Sequence, residues 1–167
     1  MSLDFLERKA AISATDEGEI TALAWSFASA DRYGDIITKG AFSPLPTTLP
    51  MLFAHDPAQV VGVWEHFVET PEGLEVRGRM FLGQTRADEV RTMIQAGALG
   101  GISIGFDKRQ WAPRPDHRTG RTIRSLTLAE VSLVSVPAHP RARIRTAKNG
   151  AAAVAIAAAL NRFASKL

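Results

Sequence analysis

The chain has 167 residues, 46% of them hydrophobic, and 20 Lys+Arg against 17 Asp+Glu give a net charge of only +3, which points to no strongly basic or acidic partner surface. That length suits one compact core and is short for two ordinary domains. No cysteine is present, which removes disulfides, thiolate zinc sites and a cysteine nucleophile and fits an intracellular protein. The first eight residues, MSLDFLER, mix acidic and apolar side chains and lack the basic start and long apolar run of a secretory signal. The longest apolar run, residues 151–160, is mostly alanine and reaches half of the roughly 20 residues a membrane span needs.

Taken in chain order, the pattern is mostly strand. Residues 19–28 alternate Ile20, Ala22, Ala24, Ser26 and Ala28 with Thr21, Leu23, Trp25 and Phe27, which predicts a strand. Residues 30–35 read as a turn, in which Asp31 and Asp35 cap a strand more simply than they bind a cation. Pro44, Pro46 and Pro50 exclude a long regular element from the next segment. A short strand over 51–55 then places Met51, Phe53 and His55 on one face. Residues 60–70 and 74–82 flank Pro71-Glu72-Gly73 and predict a hairpin.

One internal helix comes next. Thr85 reads as its N-cap, with Asp88 three positions on; Ala87, Val90, Met93 and Ile94 recur at helical spacing, and Gly97 is a natural stop. Residues 99–111 and 122–136 read as long strands around a polar loop at 113–120, with Pro137 and Pro140 closing the second. Arg141, Arg143, Arg145 and Lys148 form the clearest basic cluster, read as a solvated tail in preference to a nucleic-acid site. Residues 147–167 are alanine-rich and predict a helical tail that docks on a partner, leaving residues 1–146 as the main domain.

The strand around Ser103 carries the first chemical signal. In Gly101-Ile102-Ser103-Ile104-Gly105-Phe106, alternation sends Ile102, Ile104 and Phe106 to one face and leaves Ser103 between two glycines on the other. Glycines there mark either a purely structural bulge or a place where a ligand comes close. On the later strand the same parity puts Leu128, Glu130, Ser132 and Val134 on one side. A carboxylate in such an apolar strand is either paired, for which a histidine is a suitable partner, or faces water from a sheet edge. His55, before the turn opening Asp56-Pro57, is either a base or a structural histidine. A serine nucleophile needs both partners: an imidazole to take its proton and a third group to orient that imidazole.

Other chemistries find less support. His66, His117 and His139 have no helical zinc spacing with one another, so no metal is expected, and Gly100-Gly101 lacks the lysine and strand-loop-helix order of a phosphate loop, so no nucleotide cofactor is expected. Gly101-Ile102-Ser103-Ile104-Gly105 has the spelling of an esterase nucleophile elbow, but a strand continues beyond it where the elbow requires a helix.

The ordered blocks DRYGDII (31–37), GAF (40–42), FAHD (53–56), VG (61–62), GLEV (73–76), GISIGF (101–106), LAEVSLV (128–134) and PA (137–138) resemble the prohead maturation proteases of tailed phages, over roughly residues 20–145. That resemblance implies the fold of the herpesvirus assemblins, a mostly antiparallel β-barrel with surrounding helices, so an α+β, mostly-β chain. It implies His55 as general base, Ser103 as nucleophile and Glu130 as the third member, with His139 as the alternative because assemblins use a second histidine there. It also implies a serine endopeptidase that cuts its own termini and the scaffolding part of the capsid protein inside the prohead of a bacterial host, as a homo-oligomer. An inactive, scaffold-associated module that binds capsid proteins is the second reading. One departure from the family pattern is Ala54, where asparagine is frequent.

Overall fold

A computed structural model describes residues 17–116 and 119–145; the helix expected over 147–167 lies outside them, as do His117 and Lys148. The elements run β1 (Glu19–Ser26), β2 (Ile36–Ile37), β3 (Leu49–Phe53), β4 (Asp56–Glu69), β5 (Gly73–Met80), α1 (Thr85–Gln95), β6 (Gly101–Pro113), β7 (Arg121–Val134) and β8 (Arg143–Arg145). Hydrogen bonding links β7-β3-β4-β5-β1-β8-β6 and returns to β7, closing a seven-stranded barrel, with β2 added outside the ring on β7. Closure satisfies strand edges that an open sheet would leave unpaired. Most pairings are antiparallel, but β3 and β2 both run parallel to β7.

The barrel fills with residues that alternation sends inward. Ile20, Met51, Val61, Trp64, Leu74, Ile102, Val131 and Leu133 belong to one buried cluster. Trp64 is fully buried, and its indole N–H donates to the Val131 carbonyl at 3.0 Å, tying β4 to the stretch of β7 next to Glu130. Such a bond satisfies the polar end of an otherwise apolar side chain.

Helix α1 buries Ala87, Val90 and Ile94. Its N-cap is Gln84, with no side-chain cap, so Thr85 is the first helical residue and not the cap expected from sequence. The Asp88 carboxylate instead accepts the Gly83 N–H at 3.0 Å, one residue before the cap.

The basic cluster is also not simply a solvated tail. Ile144 is 4% exposed, and β8 pairs with β1 through Thr21, Ala22 and Leu23 while Arg143 meets Gly101 of β6. Arg145 bonds Glu75 at 3.0 Å and pairs with Glu72, so this arginine fastens β8 across the hairpin. Three residues thus close the ring, and beyond Leu23 and Gly101 no strand bridges β1 and β6 among the described residues.

Candidate active site

His55 does not lie on a strand. β3 ends at Phe53, and Ala54 and His55 form the two-residue turn into β4, with φ of 55° and 61°. Two successive positive φ values match the twist that tight hairpins prefer, and Asn and Gly fill such positions most readily. The turn is anchored from the neighbouring strand: the Ala54 N–H donates to the Leu133 carbonyl at 2.9 Å. The expected shared face of Met51, Phe53 and His55 therefore gives way to a turn that lifts His55 off the sheet, leaving its side chain 45% exposed.

Glu130 reaches it from β7. The register passes from Phe106 opposite Leu128 to Gly105 opposite Glu130, so an extra residue sits on β7 at this point. A bulge of this kind resets side-chain parity and re-aims the side chains beyond it. Leu128 accordingly joins the core while Glu130 and Ser132 share the opposite face, which corrects the single-sided reading of Leu128 with Glu130.

One oxygen of the carboxylate carries two contacts. Glu130 Oε1 is in short contact with His55 Nδ1 and accepts the Ser132 hydroxyl at 2.8 Å. Ser132 is completely buried. Glu130 is thus the paired carboxylate of the two sequence alternatives, held from the side by a residue that sequence reasoning missed. Gly105 completes the arrangement: a Cβ there would lie 3.2 Å from Glu130 Cδ and 3.3 Å from Oε2, so the missing side chain makes room for the carboxylate.

Ser103 lies directly opposite Ser132 in the β6–β7 ladder, two residues from Gly105 and on the same face. It is 6% exposed. Its hydroxyl makes no hydrogen bond among the described residues, to His55 or to any other group. With Nδ1 turned to a carboxylate, the imidazole keeps Nε2 as its available base nitrogen. His55 on the β3–β4 turn thus meets Glu130 of β7, and Ser103 lies on the adjacent strand β6.

His139 occupies a different position. It is 1% exposed, its Nε2–H donates to the Ser29 carbonyl at 3.0 Å, and its Nδ1 accepts the Arg141 N–H at 3.1 Å. Both ring nitrogens are committed to backbone, and the ring packs edge-on against Trp25 with centroids 4.7 Å apart. Neither nitrogen bonds Ser103 or His55, although the ring lines a pocket that Ser103 borders. His66 is exposed on β4 opposite Arg77. Among the described residues no group of three or more His, Asp or Glu side chains is placed to hold a metal ion, and no helix is long and apolar enough to cross a membrane.

A pocket adjoins Ser103, and neither His55 nor Glu130 is among its walls. Trp25 of β1, Ile104 and Phe106 of β6, Asp31, Asp35 and Arg121 are among its walls. Asp35 is buried and holds Arg121 through both carboxylate oxygens, with Oδ1 also accepting the Arg121 N–H at 3.0 Å. The paired carboxylate holds the Arg121 guanidinium above its ordinary pKa. Asp31 Oδ1 accepts the N–H groups of Tyr33 and Asp35 at 2.9 and 2.8 Å, the expected turn. Burial raises the Asp31 pKa, against the lowering effect of these two bonds.

The family model of the caudovirus prohead serine proteases matches residues 5–156. The chain belongs to this family. It is 31% identical over 141 residues to the prohead protease of Enterobacteria phage HK97, an alignment covering 80% of this chain and 61% of that protein. It is also 31% identical over 137 residues to the capsid polyprotein of Pseudomonas phage PAJU2, covering 78% of this chain and 20% of the polyprotein. The chain therefore spans less than two thirds of the length of either relative.

Proposed function

We propose that this prohead protease family member is a serine endopeptidase of capsid maturation that works through Ser103, His55 and Glu130. The observation that carries the reading is the His55–Glu130 contact, beside a serine strand whose glycine leaves space for the carboxylate. Glu130 fixes the tautomer that keeps the proton on Nδ1 and stabilises the imidazolium when it forms. Nε2 then takes the Ser103 proton as Oγ attacks the peptide carbonyl, and returns it to the leaving amine. Water, activated by the same nitrogen, releases the acyl group from Ser103.

The unmade Ser103–His55 hydrogen bond is compatible with this mechanism, because catalytic hydrogen bonds are often long without substrate and tighten in the complex. Substrates are the chain's own termini and the scaffolding part of the capsid protein, cut inside the assembling prohead of a bacterial host, with the active species an oligomer. The match to a protein named as a capsid polyprotein supports the association with capsid proteins.

Mass spectrometry of the purified chain and its Ser103→Ala variant, each incubated with the cognate capsid protein, tests the reading. Cleavage by the parent alone is expected. Equal processing by both removes Ser103 as nucleophile, and no processing by either favours the inactive, capsid-binding module.

A further inference from the structure

We infer that the pocket between β1 and β6 is the specificity pocket of the protease, and that it takes a lysine or arginine side chain from the residue on the acyl side of the cleaved bond, with Asp31 as the charge partner. The inference rests on Ser103 being the nucleophile.

Position is the first argument. In the barrel order, β7 with Glu130 lies on one side of β6 and the opening toward β1 on the other. Ser103 is part of the pocket wall. A peptide carbonyl brought to the Ser103 hydroxyl therefore has the base on one flank and this opening on the other. The opening exists because β8 begins only at Arg143, opposite Leu23 and Gly101, leaving β1 and β6 unbridged next to Ser103.

The lining supplies the second argument. Ala24, Ile104 and Phe106 offer apolar surface suited to the methylene stem of a long side chain, and Asp31 and Asp35 supply carboxylates. Asp35 is already neutralised by Arg121, through two side-chain bonds. Asp31 has only its Oδ1 engaged, by two backbone N–H groups, and its other oxygen accepts no hydrogen bond among the described residues. Two carboxylates and one guanidinium, that of Arg121, line the pocket, so its acidic groups outnumber the arginine already paired there. Burial that disfavours the Asp31 carboxylate also strengthens its attraction for an entering cation.

Trp25 gives an independent sign that something enters. It is 2% exposed and forms part of the same wall, yet its indole N–H has no acceptor among the described residues. Buried N–H groups are normally satisfied. A peptide bound here brings carbonyl oxygens of its own.

The test has two arms. In the first, the full chain, Ser103→Ala and Asp31→Asn are incubated with peptides from a denatured bacterial lysate, and mass spectrometry reads the residue before each new cut. Asparagine keeps the oxygen that holds the Asp31 turn. Ser103-dependent cuts should fall mainly after Lys and Arg, and Asp31→Asn should lower the ratio of basic to neutral sites by about tenfold or more, as expected for a charged hydrogen bond. Ser103-dependent cuts without basic enrichment, or an unchanged ratio in Asp31→Asn, overturn the pocket and leave the protease standing. In the second arm, Ser103→Ala is titrated with N-acetyl-lysine amide or N-acetyl-norleucine amide while NMR tracks the indole N–H signals. A response at Trp25 to lysine and not to norleucine supports the pocket; no preference for lysine overturns it without reference to activity.

Discussion

The imidazole of His55 lies against the carboxylate of Glu130, 75 positions further along the chain, because β3 and β7 run side by side in the same direction. Met51, Leu52 and Phe53 pair with Val131, Ser132 and Leu133, and the turn after Phe53 carries His55 back over Glu130. The contact is therefore a property of strand register, and a slip of one residue would abolish it.

Replacing the carboxylate by its amide tests the contact. Glu130→Gln should lower the rate of self-processing by about a thousandfold or more, as loss of an orienting carboxylate does in related chemistry, with little change in thermal midpoint. Processing rate and circular dichroism, measured on the same sample, check both halves.

Gly105→Ala probes the space beside that carboxylate. The new Cβ would stand 3.2 Å from Glu130 Cδ, so the glutamate must shift by a few tenths of an ångström relative to His55. We expect a folded protein with activity reduced by about tenfold, since small displacements of catalytic groups are costly. An NMR titration of the His55 ring in parent and variant would report the altered partner directly.

The Ala54–His55 turn predicts a change of the opposite sign. Ala54 holds a φ of 55°, a region that costs a non-glycine residue about 1–2 kcal/mol. Ala54→Gly or Ala54→Asn should therefore raise stability by about 0.5–1 kcal/mol, read as an increase in denaturant midpoint with unchanged slope.

Asp31 gives a pH signature. Its pKa is raised above 3.8 by burial, so the native state holds this proton to higher pH than the unfolded chain does. The associated stability is fully present below about pH 3.8 and is lost as pH rises through the raised native value. Asp31→Asn cannot titrate, so its stability relative to the parent should climb across that window and level off above it. Thermal scans of both proteins between about pH 3 and pH 7 would show the divergence.

Arg121 should matter for the fold more than its partial exposure suggests. Removing it leaves the carboxylate of Asp35, 3% exposed, with only the residue-121 N–H as a partner. Arg121→Met should cost about 1.5–3 kcal/mol, the scale of a hydrogen bond to a charged group. Urea unfolding of Arg121→Met against the parent measures it.

Much of the scaffold is readable from alternation and turn chemistry. The hairpin around Pro71-Glu72-Gly73, the apolar face of α1 and the separation of Ser103 from Ile102 and Ile104 all come from local pattern. The features that local pattern misses depend on long-range pairing. The Ala54–His55 turn has neither Asn nor Gly to announce its positive φ values, so it reads as more strand. The β7 bulge leaves no mark in Leu128-Ala129-Glu130, although it decides which side Glu130 faces. In β8, one apolar residue between two arginines is too weak a signal for a strand that β1 and β6 nevertheless capture. Ser132 is hidden among apolar neighbours because its role lies in a side-chain bond to a residue two positions away.

β8 places the final stave of the barrel at Arg143–Arg145, immediately next to the wall that bears Ser103. Trimming on the C-terminal side of Arg145 spares that stave, whereas a cut that strips out Ile144 pulls it from between β1 and β6. On the proposed self-processing activity the barrel carries a built-in fuse: digestion a few residues too deep dismantles the catalyst that performs it.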